Sequence, residues 1–262
     1  MTLEKSLVLG CLALASFVAA GSPCHAQEKT KIAEGEYTVI NGDPESVGKA
    51  LDHWVLWKLK DNNLQVKSRV DERGGELLQE FLFTPHFKPI AYGISSHIKG
   101  GAGEKDQELF LLCRLSPKLI RCKEEMAGQE ERKDTFELSI KEPEYAFLPG
   151  EFYLLDVSWF FVSLIQNQRE NCERAVYSLA EDDSGKPKLE MDDIAKIHWL
   201  GPEIVTVMGK TVQANKYELL DFTVWTAPSN GMMLAIESTD GHGRWELTKF
   251  KSYSSAFLPE LR

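Results

Sequence analysis

Strand-length runs of alternating polar and apolar residues, separated by regular turn signals, constrain the fold of this chain most strongly. In the run LQVKSRV, Leu64, Val66 and Val70 are apolar and alternate with polar residues, and DTFELSI at 134–140 repeats the pattern. Because successive side chains of a strand point to opposite faces, this period predicts antiparallel strands with one apolar face. The sequence therefore predicts a β-meander from about Gly35 to Lys141.

The segment Phe152–Ile165 breaks this alternation. Its sequence, FYLLDVSWFFVSLI, has eleven apolar residues out of fourteen and contains no turn-forming residue. It is longer than a typical strand and shorter than the roughly 20 residues that a transmembrane helix needs. Asp156, Ser163 and Asn167 are spaced by seven and four residues, so on a helix they form one narrow polar stripe. We therefore predict a buried helix that ends near Asn167-Gln168.

Strand and hairpin signals resume after this segment and continue towards the C-terminus. Arg174–Ala180 is followed by an acidic loop, and the tail contains Ser229-Asn230-Gly231 and Asp240-Gly241, which are typical hairpin turns. Neither an internal repeat nor a proline- or serine-rich linker divides the chain. The simplest interpretation is one mainly β domain, residues 27–262, with a single helix inserted in a long antiparallel sheet.

The N-terminus has the features of a secretory signal. The apolar run Ser6–Ala20 is followed by small residues that permit cleavage after Ala20 or after Ala26. We favour Ala26, where the sequence becomes polar, so that residues 1–26 form a signal peptide. Lipid attachment to a cysteine of this region is the alternative, although neither cysteine there has the sequence context of a lipoprotein signal. We expect a periplasmic or secreted protein with no transmembrane segment in the mature chain.

Three cysteines remain after such a cleavage. In LFLLCRLSPKLIRCKEE, two strands flank a turn at Ser116–Leu119, and pairing that is symmetric about this turn places Cys113 directly opposite Cys122. Directly opposed residues have Cα atoms about 4.5–5.5 Å apart, which suits a disulfide, and an exported protein meets an oxidising environment. Two buried thiols, or a slipped register from a three-residue loop, are the alternatives. Cys172 is left as a free thiol or an intermolecular link.

Composition and motifs point away from several classes of function. The net charge is −10 and no basic stripe is present, which argues against binding to nucleic acid. The six histidines show no metal-ligand spacing, so we predict no metal site, and no motif for a cofactor is present. The GxSxG signature of many hydrolases is also absent. An envelope hydrolase with an unrecognised active site therefore stays as the alternative to a protein without enzymatic activity.

One C-terminal stretch carries a resemblance to a known group. Val207–Glu237 contains a valine, a glycine turn, a strand ending in tyrosine, a strand with tryptophan, a second turn and an apolar strand. With the signal, the meander and the apolar helix, this arrangement resembles the periplasmic lipoprotein-localisation superfamily of LolA/LolB-type half-barrels and related secreted bacterial domains of unknown function. The resemblance covers most of Gly35–Tyr253 and matches no individual functional residue of the carriers.

The resemblance implies a single curved antiparallel sheet, a half-barrel, wrapped around one hydrophobic helix. Its apolar concave face can hold acyl chains. It implies a non-enzymatic envelope protein that binds an apolar small molecule or a lipidated protein, and we expect Leu155, Trp159 and Phe160 of the helix to contact that ligand.

Overall fold

The described residues form one large β-sheet of fifteen strands. The computed structural model describes residues 28–42, 47, 50–72, 75–98, 106–127, 132–142, 145–148, 162, 165, 169–181, 187–241 and 243–254. The strands are β1 Lys29–Asn41, β2 Ala50–Leu59, β3 Leu64–Glu72, β4 Gly75–Phe83, β5 Pro89–Ile98, β6 Gln107–Ser116, β7 Leu119–Ala127, β8 Arg132–Ser139, β9 Tyr145–Leu148, β10 Cys172–Glu181, β11 Pro187–Val207, β12 Lys210–Leu219, β13 Phe222–Thr226, β14 Met233–Ser238 and β15 Arg244–Ser252.

The sheet consists of two meanders joined by the first and last strands. Strands β1 to β8 follow one another across one half of the sheet, and β15 to β9 follow in reverse chain order across the other half. Strand β1 pairs antiparallel with both β2 and β15, and therefore connects the halves. The predicted N-terminal meander and the predicted mainly β, antiparallel character are confirmed.

Turn chemistry sets the register of these hairpins. Between β11 and β12 the two turn residues Met208 and Gly209 both have positive φ, 53° and 71°, which is the conformation of a type I′ turn. This turn matches the right-handed twist of paired strands, and it explains why a glycine occurs there. Gly209 thus belongs to the hairpin turn, and Lys210 and Thr211 begin the strand that follows it.

Strands β9 and β10 form the one parallel pair among the described strands. The rest of the described ladders are antiparallel, and nothing in the local sequence of Tyr145–Leu148 predicted this exception. A parallel pair cannot be closed by a tight turn, because its connection must cross from one end of the sheet to the other. Here that connection is residues 149–171, which contains the predicted helix.

Contacts between the two halves bring the edge strands of the sheet against strands of the opposite half. The Tyr145 hydroxyl of β9 donates a hydrogen bond of 2.9 Å to the carbonyl of Ser116 at the end of β6. The Phe147 ring of β9 meets the Tyr92 ring of β5 with centroids 6.2 Å apart, and β8 contacts β11. Most buried apolar residues of both halves therefore belong to one core, and Leu59, Leu82 and Ala91 form a separate small cluster.

The predicted helix Phe152–Ile165 falls mostly outside the described residues. Val162 and Ile165 are described; both have helical backbone conformation and are 3 % and 1 % exposed. Both side chains pack in the main core, which agrees with burial of the segment, while the helix as a whole stays a prediction. The signal peptide 1–26 also lies outside the described residues. Within the described parts of the chain, no helix has the length and apolarity needed to cross a bilayer.

Candidate functional site

The face of the sheet that points into the core is the candidate site, and we call it the inner face. In its N-terminal half, one row of directly paired residues runs across β1 to β8. All but the last residue of this row are at most 2 % exposed. Its members are Ala33, Leu56, Val66, Phe81, Tyr92, Cys113, Cys122 and Phe136. The period-2 pattern of the sequence thus produces an unbroken apolar band.

Aromatic side chains pack against one another along this apolar band. Phe81 lies 4.8 Å from Tyr92 and stacks on Phe83 at 5.5 Å, measured between ring centroids. On the central strands, the Trp54 ring lies 6.3 Å from both Tyr37 and Phe250. Rings at these separations gain attraction beyond the area that they bury. The inner face is therefore wide, flat in places and rich in polarisable surface, as a site for hydrocarbon would be.

A second row continues the inner face across the C-terminal half. It consists of the directly paired residues Val39, Trp245, Ile236, Val224, Tyr217 and Trp199. Ile236, Val224 and Tyr217 have no exposed surface, whereas the two tryptophans are half-buried. Both halves of the sheet thus contribute to one apolar surface.

The next row of this half is polar where the pattern leads one to expect apolar residues. Asn215 pairs with Thr226, which pairs with Met233. Asn215 is 4 % exposed and Thr226 is fully buried. Asn215 and Tyr217 occupy alternate positions of β12, so they share a face with the apolar row. A polar residue at an apolar position of a strand is the signal by which the sequence could have revealed this group.

The surroundings of Tyr217 shift the pKa of its hydroxyl. Burial raises the pKa of Tyr217, whereas hydrogen bonds with the side chains of Thr226 and Asn215 and the charge of Arg169 act in the lowering direction. The hydroxyl therefore lies near both polar side chains and within the field of one cation. This is a buried polar patch at the border of an apolar surface.

The opposite, outer face carries a chain of ion pairs. Glu203 accepts hydrogen bonds from Lys216 at 2.9 Å and from the Trp225 indole at 3.1 Å. Arg244 lies over the same Trp225 ring, 5.2 Å from its centroid, and pairs with Glu237 at 2.9 Å. Because these charges are satisfied by one another, they stabilise the sheet and offer no unsatisfied charge to a ligand.

The predicted disulfide is present. Cys113 and Cys122 are directly opposed in the β6–β7 ladder, with Cα atoms 4.0 Å apart and their sulfurs bonded. Ser116 pairs with Leu119 in the same ladder, so the predicted symmetric register is confirmed and the slipped alternative is wrong. Both cysteines are fully buried in the inner row. Cys172 is half-buried and is not part of a disulfide within the described residues.

The predicted ligand-contacting residues are not placed. Leu155, Trp159 and Phe160 lie outside the described residues, so their role stays a prediction. Of the sheet tryptophans, Trp54 points into the core with 1 % exposure, and its neighbour Trp57 is half-exposed beneath Lys29, whose Nζ is 4.5 Å from the ring centroid. Trp54 and Trp57 are three residues apart on β2, so they occupy opposite faces of that strand.

Histidines do not assemble a catalytic group in the described structure. His53 Nδ1 lies 3.0 Å from Glu36, but this carboxylate also binds Lys249 at 2.9 Å. The hydroxyls of Thr38 on β1 and Thr248 on β15 bond to each other at 2.7 Å. Among the described residues, no cluster of three or more potential metal ligands occurs. The contacts around His53 therefore form no nucleophile–base pair.

A shallow groove of about 560 Å³ lies at one end of β1 and β2. It is lined by Glu28, Lys29, Thr30, Lys58, Leu59 and Lys60. Lys60 Nζ lies 3.8 Å from the Glu28 carboxylate in this lining. It is open and polar, so it does not compete with the inner face as a site for an apolar ligand.

Comparison with known proteins leaves the geometry as the basis for assigning a function. Neither a protein-family model nor a curated protein sequence matches the chain.

Proposed function

We propose that this protein is a non-enzymatic, exported envelope protein that binds hydrocarbon on the inner face of its sheet. The observation that carries the proposal is the pair of apolar rows, contributed by both meanders and joined in one core. The cargo is an apolar small molecule or the acyl chains of a lipidated protein. Burying such chains contributes about 25 cal/mol for each Å² of apolar surface removed from water.

The architecture that we infer is the half-barrel of LolA/LolB-type carriers wrapped around a helix. Three observations support it: the two meanders meet through β1 and β15, the edges of the sheet approach each other, and β9 and β10 are parallel. A parallel connection usually contains a helix packed on the sheet. Val162 and Ile165 of that connection are buried in the same core as the inner face. A ligand on the inner face would therefore have to share it with Val162 and Ile165 or displace them.

Export is the second part of the proposal. The buried Cys113–Cys122 disulfide is typical of oxidising compartments. The N-terminal apolar run and its small residues have the pattern of a cleaved signal. Cell fractionation should recover the chain without residues 1–26 or 1–20, and an intact cytoplasmic chain would contradict export.

Binding of the neutral fluorescent probe N-phenyl-1-naphthylamine tests the ligand site. Saturable binding that palmitate or a lipopeptide competes away is expected. Val224→Phe adds volume to the inner row and should weaken probe binding several-fold. Thr223→Phe places the same ring on the other face of β13 and should leave binding unchanged. Absence of saturable probe binding to the wild-type protein would overturn the proposal.

A further inference from the structure

Lysines gather at one end of the N-terminal meander. In an antiparallel meander every second turn lies at the same end of the strands, so the start of β1, the β2–β3, β4–β5 and β6–β7 turns and the segment after β8 share one end. We call it the basic end; its described residues are 28–29, 58–63, 84–88, 116–119 and 140–142. Six lysines lie there, and all are exposed. They are Lys29, Lys58, Lys60, Lys88, Lys118 and Lys141.

Contacts between neighbouring strands make the basic end continuous. Lys29 is paired with Leu59, and Leu59 belongs to the small apolar cluster that also contains residues of β4 and β5. Further along, the carbonyl of Lys118 accepts a hydrogen bond of 2.9 Å from the Ile140 amide. The shallow groove at the end of β1 and β2 belongs to the same surface. The lysines come from five separate places in the chain, so the fold alone brings them together.

The carboxylates of the basic end do not neutralise these lysines. Asp61 accepts two hydrogen bonds within its own turn, and Glu142 accepts one from a tyrosine of β10. Glu28 lies 3.8 Å from Lys60, and both side chains are largely exposed. Six lysines against three carboxylates leave a net charge of +3, in a chain whose net charge is −10. Among the described residues, three ammonium groups form no ion pair: those of Lys58, Lys88 and Lys118.

The opposite end of the same strands carries acidic residues. Asp106 and Glu108 lie 3.5 Å and 3.8 Å from the two ring nitrogens of His97, and nearer that end Glu124 and Asp134 are directly paired across β7 and β8. The nine residues of β3 span about 30 Å, whereas salt screens charges over about 8 Å at physiological ionic strength. The basic end therefore attracts an anionic surface, and screening shields that surface from the acidic end.

We propose that the basic end docks on the surface of a bilayer that contains anionic phospholipids. The choice of a bilayer as the partner rests on the proposed function, because acyl chains are insoluble in water and a membrane is their source. Each lysine close to an anionic membrane strengthens binding about fivefold. Trp57, which adjoins the basic end, is half-exposed beneath Lys29, and tryptophan favours the level of the lipid headgroups. Docking in this orientation places the strand ends of the N-terminal meander against the membrane.

Flotation of the protein with lipid vesicles tests this assignment. Vesicles of phosphatidylcholine alone are compared with vesicles of phosphatidylcholine and phosphatidylglycerol mixed at about two to one, so that only the second kind is anionic. Wild-type protein should bind the mixed vesicles at least about tenfold more tightly than the neutral ones. This preference should disappear at about 1 M salt, where charges are screened over about 3 Å.

Single substitutions test whether the basic end makes the contact. Lys58→Gln and Lys118→Gln should each weaken binding to the mixed vesicles about fivefold. Lys133→Gln is the matched control, because Lys133 is 76 % exposed and lies towards the acidic end of β8; it should leave binding unchanged. All three lysines are exposed, so each variant should melt like the wild-type protein.

The outcomes are distinguishable from failure of the proposed function. Equal affinity for the two kinds of vesicle, or an equal effect of all three substitutions, would overturn the docking surface while leaving hydrocarbon binding intact. Tighter binding to heparin than to the mixed vesicles would indicate a site for soluble polyanions and overturn the choice of a bilayer. Wild-type protein that docks on the mixed vesicles but binds no N-phenyl-1-naphthylamine would overturn the proposed function and retain the docking surface.

Discussion

At the scale of single residues, the centre of the sheet depends on one close approach between a backbone and a ring. Gly35 of β1 is paired with Trp54 of β2. A Cβ atom at Gly35 would lie 2.5 Å from one carbon of the Trp54 ring and 3.0 Å from the carbonyl oxygen of Lys249. Glycine is therefore required here by space, because it lets the largest buried side chain lie flat across the strand.

Replacing this glycine should destabilise the protein. Gly35→Ala should lower the free energy of unfolding by about 1–3 kcal/mol, since extra volume in a packed core forces neighbours to shift. In a Trp54→Phe background the smaller ring leaves room, so the additional cost of Gly35→Ala should be smaller. A double-mutant cycle by denaturant unfolding measures this coupling. Additive costs would show that the ring is not what limits position 35.

The ion pairs of the outer face make a pH-dependent contribution to stability. The hydrogen bond from Lys216, and then that from Trp225, lowers the pKa of Glu203. A carboxyl whose pKa is lower in the folded state stabilises the fold above its unfolded pKa of about 4.5. That contribution is lost as the pH falls through the folded pKa.

Removal of the lysine tests this contribution. Lys216→Met should lower stability by about 0.5–1 kcal/mol at pH 7, because the pair is partly exposed and screened by solvent. The difference from wild type should shrink as the pH is lowered from about 4.5 through the folded pKa of Glu203, as measured by urea unfolding at a series of pH values. Lys60→Met is the control, since Lys60 faces Glu28 at 3.8 Å with both side chains largely exposed. A Lys216→Met deficit that stays constant with pH would contradict the assignment.

At the scale of elements, hairpins are the part of the fold that sequence predicts best. Turn residues lie close in sequence to the strands that they join, so the Ser116–Leu119 turn sufficed to align Cys113 with Cys122. The parallel β9–β10 pair was not predictable in this way. Its partners are separated by residues 149–171, and the pairing depends on contacts of Tyr145 and Phe147 with distant strands.

Reduction of the disulfide should weaken the β6–β7 hairpin. The bond closes a loop with a sequence separation of 9, so loop-closure entropy limits its contribution to at most about 3 kcal/mol. Non-reducing peptide mapping of the exported protein should recover the peptides containing Cys113 and Cys122 as one linked species. A Cys172→Ser variant should give the same map and the same loss on reduction. Free alkylation of Cys113 and Cys122 without a reductant would refute the bond.

Alanine substitutions test whether the predicted helix Phe152–Ile165 is part of the core. Ile165 is 1 % exposed and Ile204 is 72 % exposed, which offers the same substitution in two environments. Ile165→Ala should destabilise by about 2–5 kcal/mol if the segment is permanent core, and Phe160→Ala by about 3–5 kcal/mol. Ile204→Ala should cost less than about 0.5 kcal/mol.

Probe binding distinguishes core from cover in the same variants. If the segment is a movable cover over a ligand, Phe160→Ala should cost less stability and weaken binding of N-phenyl-1-naphthylamine. Phe160→Ala could instead leave both the melting temperature and probe binding unchanged. The helix would then be neither permanent core nor a movable cover, and the half-barrel proposal would have to be abandoned.

At the scale of the whole molecule, the two meanders make one surface that neither makes alone. The N-terminal row ends at β1 and the C-terminal row begins there, so Tyr37 and Val39 belong to both halves of the core. The Tyr37 hydroxyl donates to the carbonyl of Met233 at 2.9 Å and ties β1 to β14 on this face. A continuous inner face therefore requires the first and last strands to pair.

Sequence patterning predicted the strands and which face of each strand is apolar. It did not predict the polar residues of the inner face. Period-2 alternation identifies which side chains share a face, and the inner rows follow from it. The polar group of Asn215, Tyr217 and Thr226 becomes a group only through strand pairing between β12 and β13. Pairing of distant strands depends on the whole fold, so single runs of sequence do not reveal it.

Lipid extraction of the exported protein tests the central claim most directly. The protein is purified from the periplasm or culture medium without detergent, extracted with organic solvent and analysed by lipid mass spectrometry. An exported control protein of similar size is treated in parallel. The account predicts acyl-chain ligand near one molecule per chain, well above the control, and its uptake again when the lipid-free protein is mixed with fatty acid. No lipid above the control, together with no uptake by the lipid-free protein, would contradict the account.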